Sequence, residues 1–399
     1  MESHGEKKMN QTTRKAFKFI ILLGIVSLFS DMTYEGARSI TGPFLAVLGA
    51  TGTIVGFVAG LGELLGYGVR LLSGYISDRT GRYWPITILG YFLNLLAVPF
   101  LALAGNWPMA AGLMITERVG KAIRTPARDA MLSYATSEVG RGRGFGLHEA
   151  LDQIGAITGP LIVALVLYFL KGNYKAGFAV LLVPASVALI ILIAARILYP
   201  VPRELEAAPI MAEGKGLPSK FWLYLAAVAL IAAGYVDYPL IAFHLGKTSL
   251  ISPEWLPILY AIAMAADALA ALIFGYLFDR TGINILVIAV LVSSSFAPLV
   301  FLGDFITVVT GMVIWGIGMG AQESVLRAAI AGMIPPDKRG TAYGVFNTGY
   351  GLFWFLGSAL MGILYDLSVG YVVAFSVIAQ LLAVPIMLYL GKRNNLKAI

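Results

Sequence analysis

The chain has 399 residues, 58% of them hydrophobic and only 13% charged, with a net charge of +7 and no cysteine. A soluble domain needs roughly 25% charged residues to cover its surface, so this composition excludes an ordinary soluble protein, and the lack of cysteine excludes disulfides, thiolate metal sites and cysteine nucleophiles. The three histidines, His4, His148 and His244, show no metal-ligand spacing.

Apolar runs long enough to cross a hydrocarbon layer of about 30 Å predict helices over 17–40, 52–76, 83–104, 108–134, 144–170 and 175–199, then over 221–246, 253–277, 283–303, 306–333, 340–366 and 369–391. The first run follows Lys7, Lys8, Arg14 and Lys15 as a secretory signal would. It is too long for one and lacks a small-residue cleavage site, so a retained helix is expected. The stretch 200–220, with Pro200, Pro202, Pro209 and Pro218 among mixed charges, reads as a linker. The expected organisation is a tail over 1–16, a six-helix bundle over 17–199, the linker, a second bundle over 221–391 and a tail over 392–399.

Lys and Arg fix the orientation. The tails and one set of loops hold Arg79, Arg82, Arg141, Arg143, Arg196, Arg280, Lys338, Arg339, Lys392 and Arg393 among others, whereas the opposite loops hold only Lys171, Lys175 and Lys247. Both termini are therefore expected in the cytoplasm of a cell (inner or plasma) membrane protein. This one-sided distribution also argues against nucleic acid as the reason for the positive charge.

The segment Gly74-Tyr-Ile-Ser-Asp78-Arg79-Thr-Gly81 recurs as Gly275-Tyr-Leu-Phe-Asp279-Arg280-Thr-Gly282, six of eight positions being identical at a separation of 201 residues. A weaker echo links Arg141-Gly142 with Arg339-Gly340 and Gly146 with Gly344. Each copy of the main repeat leaves the second helix of its half. Parallel six-helix repeats imply an all-α membrane protein of twelve transmembrane helices in two pseudo-twofold related bundles, with a substrate site at their interface near mid-membrane.

At these residues the chain resembles the major facilitator superfamily. Gly74 to Gly81 with Arg82 matches that family's loop between helices 2 and 3, and the repeat falls between helices 8 and 9. The resemblance implies a gating role for Gly74, Asp78, Arg79, Gly81, Arg82, Gly275, Asp279 and Arg280, with Asp78 latching onto the dipole of helix 11, or else a rigid turn. In the fifth helix, Gly146, Gly155, Gly159 and Pro160 resemble the family's antiporter signature, although Ala164 and Leu165 stand where a trailing glycine pair is usual. Small residues so spaced also serve plain helix packing. The fourth helix, from Glu117 to Asp129, matches the family's pattern in part.

Charges at mid-bilayer cost at least ~2.5–3.5 kcal/mol and should face the interior, pair, or titrate. Asp31, Tyr34, Glu35 and Arg38 form one stripe of the first helix, where Glu35 and Arg38 have the spacing to pair. Asp31, roughly 21 Å beyond Phe17, has no local partner. Glu117, Lys121, Arg124 and Arg128 form a stripe on the fourth helix, for which Glu149 and Asp152 of the fifth, beside His148, are the expected counter-charges. Arg128 and Asp129 are expected at the cytoplasmic gate. Proton coupling is the functional reading of these acids and of Asp267, which has no basic neighbour in sequence. A static salt-bridge network is the structural one. Glu323 and Arg327 should pair, Glu63 and Arg70 share a face without a clear role, and His244 is expected at an interface. Asp237, Trp315 and Trp354 join Tyr34, Arg38, Lys121, Arg124, His148 and Glu323 as cavity candidates, with core packing the leading alternative for the two tryptophans. Trp84, Trp107, Trp222 and Trp255, at helix ends, read as interface anchors.

The leading reading is a monomeric secondary active transporter working by alternating access, without cofactor or metal, whose partners are a small-molecule substrate, protons and the lipid bilayer. It would export a small organic compound or drug in exchange for protons. The alternatives are a uniporter or symporter of an anionic metabolite and a transport-inactive membrane receptor. No Gly-x4-Gly-Lys-Ser/Thr loop supports ATP-driven pumping, and no enzymatic constellation is present.

Overall fold

A computed structural model describes residues 2–139, 141–201, 217–248, 250–334 and 339–395. Most of the expected linker (202–216) lies outside these, as do the side chains of Arg141 and Arg339. Among the described residues the chain forms twelve helical spans. The first half comprises α1 (Glu2–Val47), α2 (Gly52–Thr80), α3 (Tyr83–Phe100, extended by a 3₁₀ turn at Leu101–Leu103), α4 (Trp107–Val139), α5 (Arg141–Phe169) and α6 (Tyr174–Val180 and Leu182–Leu198). The second comprises α7 (Ser219–Gly234 and Tyr238–Lys247), α8 (Trp255–Thr281), α9 (Asn284–Ser293 and Phe296–Leu302), α10 (Phe305–Met333), α11 (Arg339–Leu367) and α12 (Val369–Asn395). Helix α1 begins at Glu2, so the expected tail is helical. Eleven spans are long and apolar enough to cross a membrane. The exception, α4, is long but carries Glu117, Arg118, Lys121, Arg124, Arg128 and Asp129.

The repeated sequence acts locally as a helix stop. Gly81 ends α2 with φ 65° and Gly282 ends α8 with φ 62°, a left-handed geometry that glycine adopts without a Cβ penalty. At the opposite face Thr51 caps α2 through Ile54 N, and Asp304 caps α10. The Thr307 amide and hydroxyl hold the Asp304 carboxyl below its usual range. Three spans are broken, each with a proline just beyond the break: Pro184 in α6, Pro239 in α7 and Pro298 in α9. Proline cannot donate its backbone hydrogen bond, so the ladder is interrupted there. The break at Tyr235–Asp237 frees the Val236 carbonyl, which accepts from Trp315 Nε1 at 2.9 Å. A carbonyl stranded in a membrane interior would otherwise cost several kcal/mol.

Within the halves, α1 packs on α5, α3 on α4 and α8 on α10. Across them, α2 packs on α11, α5 on α8, and α1 on the second part of α7. On the face opposite the Gly81 and Gly282 turns, called here the far face, these contacts are backbone-close. A Cβ added at Gly42 would lie 2.0 Å from the Pro239 carbonyl, and one at Gly56 2.3 Å from that of Ser358. The Asp366 carboxylate of α11 also accepts from the Gly52 and Thr53 amides at 2.9 and 2.8 Å, capping α2 from the other bundle. The far face is thus sealed.

Candidate functional site

Between the bundles, on the side of the Gly81 and Gly282 turns, lie two adjoining cavity lobes of about 620 and 420 Å³ that share Glu35, Lys121, Glu149 and Glu323 in their lining. This is the size range of small-molecule sites. The lining is charged. The Arg38 Nη2 of α1 bridges to Asp237 of α7 at 2.7 Å and to Glu63 of α2 at 3.3 Å. Glu35, one turn before it, accepts from Tyr260 Oη of α8 at 2.5 Å. Glu35 and Arg38 therefore do not pair with each other as their spacing suggested: each reaches across to the other bundle. Asp237, only 2% exposed, lies behind Arg38 beside a minor pocket of about 30 Å³ and not in the main cavity.

Nearer the face of the Gly81 and Gly282 turns, Arg124 of α4 is 4.0 Å from Asp31 of α1, and its guanidinium lies 4.3 Å from the Tyr91 ring centre. Arg124 Nε and Nη1 have no hydrogen-bond partner among the described residues. On α5, His148 Nδ1 is 3.4 Å from Asp152, and His148 Nε2 is 3.0 Å from Ser27 Oγ. That oxygen also accepts from Arg128 Nη1 at 3.0 Å, and Arg128 pairs with Asp129 at 2.8 Å. The cations of α4 thus find their ion-pair partners on α1, on α2 (Arg118 with Glu63, 3.4 Å) and on α4 itself. The acids of α5, expected in that role, make none of these pairs, because α4 packs more closely on α2 and α3 than on α5. Lys121 makes no ion pair within 4 Å among the described residues, its Nζ standing 3.7 Å over the Tyr34 ring. Glu323 and Arg327 line the cavity without the expected pairing. Trp354 lines the second lobe, whereas Trp315 is fully buried and bonded to the α7 break, in the core position of its alternative reading. His244 and Trp84, expected at interfaces, are also buried. His244 Nδ1 meets Tyr365 Oη at 3.0 Å and Trp84 donates to the Tyr199 carbonyl at 2.9 Å.

The turn residues are exposed. Asp78 accepts from Tyr83 Oη at 3.4 Å. Arg79 Nη1 donates to Tyr75 Oη at 2.9 Å, and the Arg280 guanidinium lies 4.3 Å over the Tyr276 ring, so each half sets its turn arginine against the equivalent tyrosine. Asp279 is exposed, as are Gly81 and Arg82. A Cβ at Gly74 would touch Pro126, and one at Gly275 the Ser324 side chain, at ordinary distances. In α5, Gly146 borders the cavity with open space around it, whereas Cβ atoms at Gly155 and Gly159 would fall 2.2 and 2.1 Å from the carbonyls of Leu28 and Met32 on α1. Pro160 follows directly, inside the helix. Gly159→Ala is expected to force α1 and α5 apart and to cost about 1–3 kcal/mol, the usual penalty of overpacking. Thermal unfolding in detergent measures it, and an unchanged midpoint would remove Gly159 from that contact.

Comparison with known proteins completes the picture. An uncharacterised protein of Mycobacterium tuberculosis is 42% identical over 378 residues, covering 93% of this chain and 92% of that one. Residues 23–243 and 223–397 match the Major Facilitator Superfamily. The chain belongs to this superfamily. Within it, an uncharacterised MFS-type transporter of Methanocaldococcus jannaschii is 28% identical over 91% of this chain and 92% of its own. The multidrug resistance protein MdtH of Proteus mirabilis is 33% identical, but only over 32% of this chain and 31% of its own. The nucleoside transporter NupG shares the fold with a TM-score of 0.70 at 15% identity over 94% of this chain and 98% of its own. A bacterial homologue of the human lysosomal transporter Spinster, solved inward-facing and unoccupied, does so with 0.69 at 13% over 96% of each. Superfamily membership supports secondary transport as the role of this multi-pass membrane protein.

Tyr260, whose partner Glu35 is 225 residues away, gave no sign in the sequence, and Arg118 stands beside Glu117 off the Glu117–Arg128 stripe of α4. Sequence inspection noted Glu63 and Arg70 without a role. Glu63 links Arg38 to Arg118, and Arg70 borders both lobes.

Proposed function

We propose that the chain is a proton-coupled antiporter, working by alternating access, that exports a small polar organic compound. The observation carrying this reading is the string of ionisable groups along one side of the cavity, from Asp31 and Arg124 through Asp152, His148 and Ser27 to Arg128 and Asp129. An acid whose cationic partner lies near in one conformation and far in another changes its affinity for a proton. Here Asp31 of α1 and Arg124 of α4 sit on different helices with 4.0 Å between them, so a relative movement of the helices alters their pairing. The placement of the open cavity on the basic face, read as cytoplasmic from the one-sided Lys and Arg, agrees with loading from inside the cell. The glycines of α5 and the partial likeness to MdtH favour export. The charged lining favours a polar cargo over a lipophilic drug.

In proteoliposomes, an imposed pH gradient is expected to drive substrate accumulation, and Asp31→Asn to abolish the gradient-driven component while leaving substrate exchange. Flux in the unaltered protein that ignores the gradient would refute coupling. A second reading, uniport or symport of an anionic metabolite, is favoured by Lys121, a cavity cation without a carboxylate within 4 Å. Lys121→Glu should then reverse the charge preference of the cargo, and an unchanged preference would remove that reading.

A further inference from the structure

The cavity holds charges of both signs that make no ion pair within 4 Å among the described residues. Where α8 packs on both α5 of the first bundle and α10 of the second, Glu149, Asp267 and Glu323 line the same lobe. Asp267 is within electrostatic reach of both other acids. It is only 3% exposed, and its Oδ1 has no hydrogen-bond partner among the described residues. A buried carboxylate left this way is costly unless something neutralises it. No cation within 4 Å does so, and the described residues form no cluster of three His, Asp or Glu able to hold a metal ion. On the first bundle's side, Lys121 and Arg70 rest on tyrosine rings, Tyr34 and Tyr67. Neither has a carboxylate within 4 Å, and Arg70 Nε is unpartnered. Glu323 lies within electrostatic reach of Arg327 on its own helix and of Lys121, yet makes an ion pair within 4 Å with neither. The three acids share one lobe with Lys121 and Arg70.

We propose that this space takes a small zwitterion whose ammonium group sits among Glu149, Asp267 and Glu323 and whose acidic group meets Lys121 and Arg70. This names the cargo class of the transporter proposed above and rests on that reading. A molecule with one charge of each sign satisfies both sets of groups at once. An amine alone leaves two desolvated cations, an anion alone leaves the buried acids, and each leaves the penalty of unpaired charge in place.

The test uses the purified full chain in detergent, with thermal stabilisation as readout, because a ligand that binds the folded state raises the midpoint by mass action. The probes are the common amino acids and small dipeptides, each beside its N-acetylated and C-amidated forms. At least one zwitterion is expected to stabilise the protein. Its N-acetyl and C-amide forms should bind at least about tenfold more weakly, the worth of one charge-assisted contact. Asp267→Asn and Lys121→Met should each remove the response. Glu323→Gln, at a site exposed in the cavity, should weaken it without lowering the midpoint of the free protein and so separates binding from folding. Stabilisation that survives acetylation and amidation, or stabilisation only by uncharged or singly charged compounds, would overturn the inference. A protein that moves such compounds along a pH gradient while ignoring every zwitterion would overturn it too, yet leave the transport reading standing.

Discussion

Replacing Arg38 by methionine should destabilise the protein by roughly 3–5 kcal/mol, the cost of stripping one partner from a buried ion pair. Arg38 is the sole ion-pair partner within 4 Å of Asp237 among the described residues. Asp237 then keeps only the Trp354 Nε1 contact at 3.4 Å. The same change removes a bond from Glu63, which retains Arg118. The expected result is a large fall in the unfolding midpoint in detergent. The double variant Arg38→Met with Asp237→Leu should recover most of it, because an apolar pair of similar volume needs no desolvation. A single-variant loss below about 1 kcal/mol would mean that water compensates Asp237 and that the pair contributes little.

Asp366→Ala should loosen the far face. This carboxylate belongs to α11 but caps α2, accepting from the Gly52 and Thr53 amides and from Thr53 Oγ1 at 2.9, 2.8 and 2.7 Å. Losing a cap costs about 0.5–2 kcal/mol. Because this one joins the two bundles, the loss falls on the closed far face and shifts the population toward far-side opening by about 2- to 30-fold. The chain has no cysteine, so spin labels at Val47→Cys and Leu302→Cys, exposed positions at the far ends of opposite bundles, can report the change without background. A longer distance component should grow in Asp366→Ala. An identical distribution would show that the backbone-close glycine contacts hold the face shut by themselves.

The architecture was legible because hydropathy and the doubled turn are local signals. Twenty-residue apolar runs must become spans in lipid, and Gly81 and Gly282 stop their helices through their own backbone freedom. The pairing of charges was not legible. Glu35 and Arg38 have the spacing of a helical pair, yet each finds a better partner on another helix, Tyr260 at 225 and Asp237 at 199 positions' distance. Helical spacing shows which residues share a face but not what that face meets. Asp267 was recognisable as unpaired because no base lies near it in sequence, and the fold brings none within ion-pair range. Whether Trp315 faces the cavity or the core was not legible, because it depends on the break in α7 that frees the Val236 carbonyl for it.

That break divides the labour within α7. The first part, Ser219–Gly234, stays with α11 and α12, while the ten residues Tyr238–Lys247 lean on α1 of the other bundle. The stopper on the far side is therefore a short lever pinned at its root by Trp315 and by the Arg38 pair. Swinging it asks for rotation about the few peptide units from Tyr235 to Asp237, a far smaller rearrangement than displacing a whole membrane-spanning rod.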